Sequence, residues 1–185
     1  SVAPNGTLLK IHVTFEQHCE GAAPALRGEF VFIRPPSALP PPTSSPSSSF
    51  VSYVSDSGDY IGGGQSATWT SATSTIAATT LAWGLELTVT PMGSPFPRWN
   101  IGMAVDGQVP GVGLFESAAR YPFPSTGPSF SFYGDGRGCN ELLATFQVHQ
   151  LVRDAGGLAR LQVKFEQHCE KQTPALRGEI VYIRP

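Results

Sequence analysis

Residues 8–35 read LLKIHVTFEQHCEGAAPALRGEFVFIRP, and residues 158–185 read LARLQVKFEQHCEKQTPALRGEIVYIRP. The two tails hold a constant offset of 150 without a gap, from Val2 against Val152 to Pro35 against Pro185, and 20 of the 35 positions in 1–35 are identical to their counterparts. Self-similarity at a fixed period marks a repeat architecture. The chain is therefore expected to hold one complete β-unit, 50–185, and the C-terminal two-strand portion of a preceding repeat, 1–35, which alternatively serves as a strand-donating segment. Alone, 1–35 has two strands with one apolar face and no partner sheet.

Alternation inside the copied tail supplies the fold class. Along 161–169, Leu161, Val163, Phe165, Gln167 and Cys169 fall on one face, with Glu166 and His168 on the other. Leu81 to Val89, Trp99 to Val105 and Leu142 to Val148 show the same period of two. Shorter candidates are 50–54, 67–70, 75–79 and 130–133, and only Leu114 to Arg120 suggests a helical turn. Turn clusters such as DSGD at 56–59, GGG at 62–64 and GDGRG at 134–138 punctuate the strands. The expectation is an all-β, antiparallel β-sandwich, jelly-roll or Ig-like, repeated with a 150-residue period.

Between the fragment and the unit lies PSALPPPTSSPSSS, 36–49, a Pro/Ser/Thr linker that proline holds semi-extended. Its composition also suits O-glycosylation, with Thr43, Ser44, Ser45, Ser47 and Ser48 as candidate acceptors. Asn5-Gly6-Thr7 matches an N-glycosylation acceptor.

The net charge is -2 and 14% of residues are charged, which gives no basic surface for nucleic acid. No apolar run reaches the ~20 residues that span a bilayer as a helix. Of the three cysteines, Cys139 and Cys169 belong to the complete unit and are expected to pair, while Cys19, the repeat equivalent of Cys169, has its expected partner outside this unit. Such a disulfide implies an oxidising compartment. The rival reading is three reduced, buried thiols.

GDGRGCN at 134–140, FEQHCE…PALRGEI at 165–180 with its copy at 15–30, GDYIGGGQ at 58–65 and ARYPF at 119–123 together resemble a group of bacterial secreted tandem-repeat β-domains. The resemblance spans nearly all of 50–185. It implies an exported β-domain and the pairing of Cys139 with Cys169. No established activity goes with the group, so no catalytic residue is carried over.

Read for chemistry, the chain has no GxSxG elbow, HExxH or P-loop. Glu166, His168 and Glu170 are read as a solvated stripe, because same-face residues stand about 7 Å apart along a strand. Arg177 is expected across from Glu166 or Glu170. Asp56, Asp59 and Asp135 are weak Ca²⁺ candidates that turn-forming aspartates explain equally well; no other metal or cofactor is expected. Trp83 and Trp99 follow apolar alternation and are read as core. Tyr60 and Trp69 sit among Ser, Thr and Gly and are the candidate ligand-binding aromatics. The functional expectation is a non-enzymatic structural or adhesive module of a bacterial extracellular tandem-repeat protein, forming a fibre or filament at the cell surface. Its partners are neighbouring copies of the repeat. The alternative is a carbohydrate-binding, lectin-like module that takes glycans.

Overall fold

In a computed structural model, the described residues are 10–19, 23, 25–33, 46–96, 98–123 and 126–185. The chain divides into two compact units, Ser1–Ala38 and Leu39–Pro185. Of the candidate glycan acceptors, Asn5, Thr43, Ser44 and Ser45 lie outside the described residues, whereas Ser47 and Ser48 are exposed.

The first unit holds a hairpin of β1 (Lys10–His18) and β2 (Ala25–Ile33). The second holds β3 (Phe50–Ser55), β4 (Ser66–Thr70), β5 (Ser74–Leu81), β6 (Gly84–Pro91) and β7 (Trp99–Val105), followed by β8 (Gly113–Arg120), β9 (Pro128–Gly134), β10 (Leu142–Asp154), β11 (Gly157–Cys169) and β12 (Leu176–Ile183). These ten strands form one sheet in the order β4-β3-β12-β11-β10-β8-β9-β7-β6-β5. The two edge strands, β4 and β5, are consecutive in the chain and joined only by Ser71–Thr73, so the sheet curls until it nearly closes. All neighbours run antiparallel except β8 and β9, which pair in parallel through Ala119↔Ser129 and Arg120↔Phe130. Earlier in the same strand, Gly113 to Ala118 pair with β10. β8 thus passes from one half of the sheet to the other, where the sequence suggests a helical turn.

Alternation fills the interior with rings. Trp69 (β4) meets Trp99 (β7), Trp99 meets Phe132 (β9), and Phe132 meets Phe165 (β11). Phe130 then links Phe165 to Phe146, which stacks on Phe115. Centroid separations along this line are 4.9–5.6 Å, the range in which tilted and offset rings attract. Two buried polar side chains, Gln167 and Ser49, bind backbone. Gln167 carries its amide into the core, accepts from the Phe132 amide at 2.8 Å and donates to the Phe132 carbonyl at 3.0 Å. In the same way the Ser49 hydroxyl serves both backbone groups of Ile183. Cys139 and Cys169 form a disulfide across 30 residues.

Two aromatic readings change. Trp83 is 54% exposed, because the apparent single run 81–90 is two strands, β5 and β6, with Ala82–Trp83 as their turn. Trp69 is half-buried against Tyr53 and Trp99.

Candidate functional site

The copied tails fold into the same hairpin. β1 and β2 pair Lys10↔Ile33, Val13↔Phe30, Phe15↔Gly28 and Glu16↔Arg27. β11 and β12 pair Arg160↔Ile183, Val163↔Ile180, Phe165↔Gly178 and Glu166↔Arg177, each 150 residues later. The phenylalanine lies over the glycine opposite in both: a Cβ on Gly28 or Gly178 would fall 2.3 Å or 2.7 Å from the ring of Phe15 or Phe165.

The polar faces agree too. Arg27 bonds Glu16 at 2.8 Å and His18 meets Glu16 at 2.7 Å; Arg177 bonds Glu166 at 2.7 Å and His168 meets Glu166 at 3.0 Å. His12 faces Glu29 where Gln162 faces Glu179, so the contact survives a change of residue type. Arg177 also grips Asp56 at 2.9 Å and 3.0 Å. The Arg177 guanidinium, helped by the Ala175 amide, holds the Asp56 carboxyl below its usual range. Burial alone would raise Glu166, but bonds from His168 and Arg177 outweigh it and leave that carboxyl lowered. Glu170 leaves the stripe. β11 ends at Cys169, Glu170 takes a positive φ of 53°, and its carboxylate accepts from the Asn140 amide at 2.7 Å.

What differs between the hairpins is their cover. Val163, Phe165, Leu176, Ile180 and Val181 are each 0% exposed, whereas their counterparts Val13, Phe15, Leu26, Phe30 and Val31 are 41–63% exposed. Gln17 and Cys19 are exposed where Gln167 and Cys169 are buried. Each large apolar side chain that passes from water to a packed interior gains roughly 1.5–3 kcal/mol. The β1–β2 face that carries Val13, Phe15, Leu26 and Phe30 is thus an apolar surface without cover, on a hairpin too small to be more than marginally stable by itself.

The calcium candidates occupy three separate networks. Asp56 belongs to Arg177, Asp59 is buried and accepts from Ser55 and Gly62 at 2.7 Å each, and Asp135 bonds Arg98 and Arg137 at 3.2 Å and 3.4 Å. Among the described residues, no group of three or more His, Cys, Asp or Glu side chains gathers to hold a metal ion. Among the described residues, no helix is long and apolar enough to cross a membrane.

A second surface escaped the sequence. Tyr121 lies across Gly102, where a Cβ would fall 2.1 Å from its ring, and donates its hydroxyl to Glu86 at 3.3 Å. Burial, with the Glu86 carboxylate, pushes this phenol up to about 12. Thr88, Asn100 and Tyr133 form the adjoining cross-strand row, with Tyr133 43% exposed. The exposed Trp83 lies at the β5–β6 turn beside Tyr121. Tyr60, 56% exposed, belongs to the loop after β3, where its carbonyl accepts from Arg137. Glycine inside an apparently continuous strand, as at Gly84, was the one signal that a break and an exposed Trp83 lay there.

The chain matches no protein-family model, no curated protein and no solved structure.

Proposed function

We propose that the protein is a non-enzymatic structural module of a bacterial extracellular tandem-repeat protein, a sandwich-type bead in a fibre or filament at the cell surface. One observation carries this reading: a hairpin present twice in the same register, buried in one copy and bare in the other. A face that serves as core in one place and as surface in another is suited to joining beads. The disulfide supports an oxidising compartment outside the cytoplasm. Electron microscopy of native material labelled with an antibody to 39–185 tests the proposal. Labelled filaments with a regular axial repeat are expected. Label confined to the cytoplasm, or to dispersed particles at the surface, would overturn it.

A second reading, a glycan-binding role for the same bead, is favoured by the outer face of β6, β7 and β9. An exposed indole and phenol flank a carboxylate and an amide there, the combination of flat apolar ring and hydrogen-bonding groups that suits a sugar. The site falls at Trp83 and Tyr133 rather than at Trp69. A glycan array with the wild-type chain and Trp83→Ala tests it. Binding lost in the variant supports the role, and an empty array removes it.

A further inference from the structure

The structural-module reading leaves open what covers β1–β2. Resting on that reading, we propose that the partner is a body of this same fold that ends before its own last hairpin, and that β1–β2 seats in it as β11–β12 seats in 39–185. The occupant is fixed by the chain itself, since the second hairpin shows what each side of the first one fits.

In 39–185, the outer edge of β12 pairs with β3 from Leu176↔Ser55 to Val181↔Phe50, and that of β11 pairs with β10 from Cys169↔Leu142 to Gly157↔Asp154. By the same register, β2 offers Leu26 to Val31 to the counterpart of β3, and β1 lies along the counterpart of β10. Phe15 then enters beneath the counterparts of Phe130 and Phe132, the rings that receive Phe165. The exposed Gln17 amide meets the backbone of the Phe132 counterpart, as Gln167 does. Arg27 takes the counterpart of Asp56, as Arg177 takes Asp56. Cys19 arrives opposite the counterpart of Cys139. An intact 39–185 unit is excluded as the acceptor, because its slot is filled by β11–β12 and closed by the disulfide. Main-chain pairing supplies the affinity and the alternating side chains supply the register, as in other strand additions.

Seating brings two thiols together. In a glutathione buffer, the Cys19 thiol and the acceptor thiol lose two protons and two electrons to glutathione disulfide. One S–S bond forms between the proteins, and two glutathione molecules leave.

The full chain is co-expressed with a tagged probe of residues 39–154 and purified in that buffer. The expected product is a one-to-one complex whose cross-link maps to Cys19 and the probe's Cys139. Phe15→Asp together with Phe30→Asp in the full chain lowers capture at least about tenfold, while Cys19→Ser abolishes the cross-link and keeps non-covalent capture. Capture indifferent to the phenylalanine changes, or a cross-link at Cys169, would overturn the proposal. A body without its hairpin can aggregate, so residues 39–150 are also joined directly ahead of Ser1 in one polypeptide. Its four cysteines are expected to leave no titratable thiol, with a mass about 4 Da below the reduced chain, two hydrogens for each of two bonds. Two free thiols and a protease-sensitive added segment would overturn it. Seating without native filaments leaves the partner assignment and removes the fibre; filaments without seating do the reverse.

Discussion

Gln167 decides how β11 meets the opposite wall. Its amide satisfies both backbone groups of Phe132, so Gln167→Leu strands a buried donor and a buried acceptor. At about 1–3 kcal/mol for each unmet group, the variant loses roughly 2–6 kcal/mol in the urea-unfolding transition of 39–185 within the full chain. Gln17→Leu, its repeat equivalent, leaves that transition unchanged, because Gln17 is exposed. Equal losses from the two changes would contradict the equivalence and its asymmetry of cover. Arg177 makes a second prediction. It holds Asp56 below its ordinary value of 3.8 and, after His168, helps hold Glu166 below 4.5. A lowered carboxylate contributes stability above its unfolded value and loses that contribution as pH falls through the folded one. Arg177→Met is therefore less stable than wild type at pH 7, and the gap closes below about pH 4. A gap of constant size across that range, measured by urea unfolding at pH 7 and pH 3, would refute the coupling. Sequence alternation put Gln167 and Cys169 on one face, and cysteine arithmetic with the resemblance paired the sulfurs. The Phe132 partner left no trace, because a side chain bonding to a backbone 35 residues away imposes no local pattern.

Between the two hairpins, sequence and register agree while surroundings differ. Hydrogen exchange on the intact chain is expected to separate them. Amides of β1–β2 exchange close to the unprotected rate, while the same register positions of β11–β12 are protected to the depth of global unfolding. Equal protection would mean that the first hairpin already has cover. Strands with clean alternation, such as β7, β10 and β11, were readable because one face meets core and the other water. β8 was not. Its order LFESAAR breaks the period of two, Ser117 takes a positive φ of 54°, and its ends pair with different neighbours. Trp83 was misread for a related reason: a two-residue turn keeps the parity of the strands on either side, so β5 and β6 run together as one alternating stretch. Gly84 marked the break, since with φ at 150° a Cβ there would lie 2.7 Å from the Met103 carbonyl.

Over the full fold, the all-β class followed from period and turn residues. The strand order did not, since the order records long-range pairings to which no single segment testifies. The near-closure rests on β4 and β5 meeting end to end in sequence and on β8 crossing between halves. The disulfide ties the loop before β10 to the end of β11. Replacing Cys139 and Cys169 by serine is expected to cost about 3–4 kcal/mol and to lower Tm by about 10 °C, as followed by calorimetry. An unchanged Tm would show that packing alone fixes that corner. The decisive measurement is hydrogen exchange of β1–β2 in the polypeptide that carries residues 39–150 ahead of Ser1. If the bare hairpin is the missing end of another bead, the amides of Val13, Phe15 and Phe30 slow to match those of Val163, Phe165 and Ile180. If they exchange as fast as in the chain alone, the two hairpins share a sequence and a register but not a role.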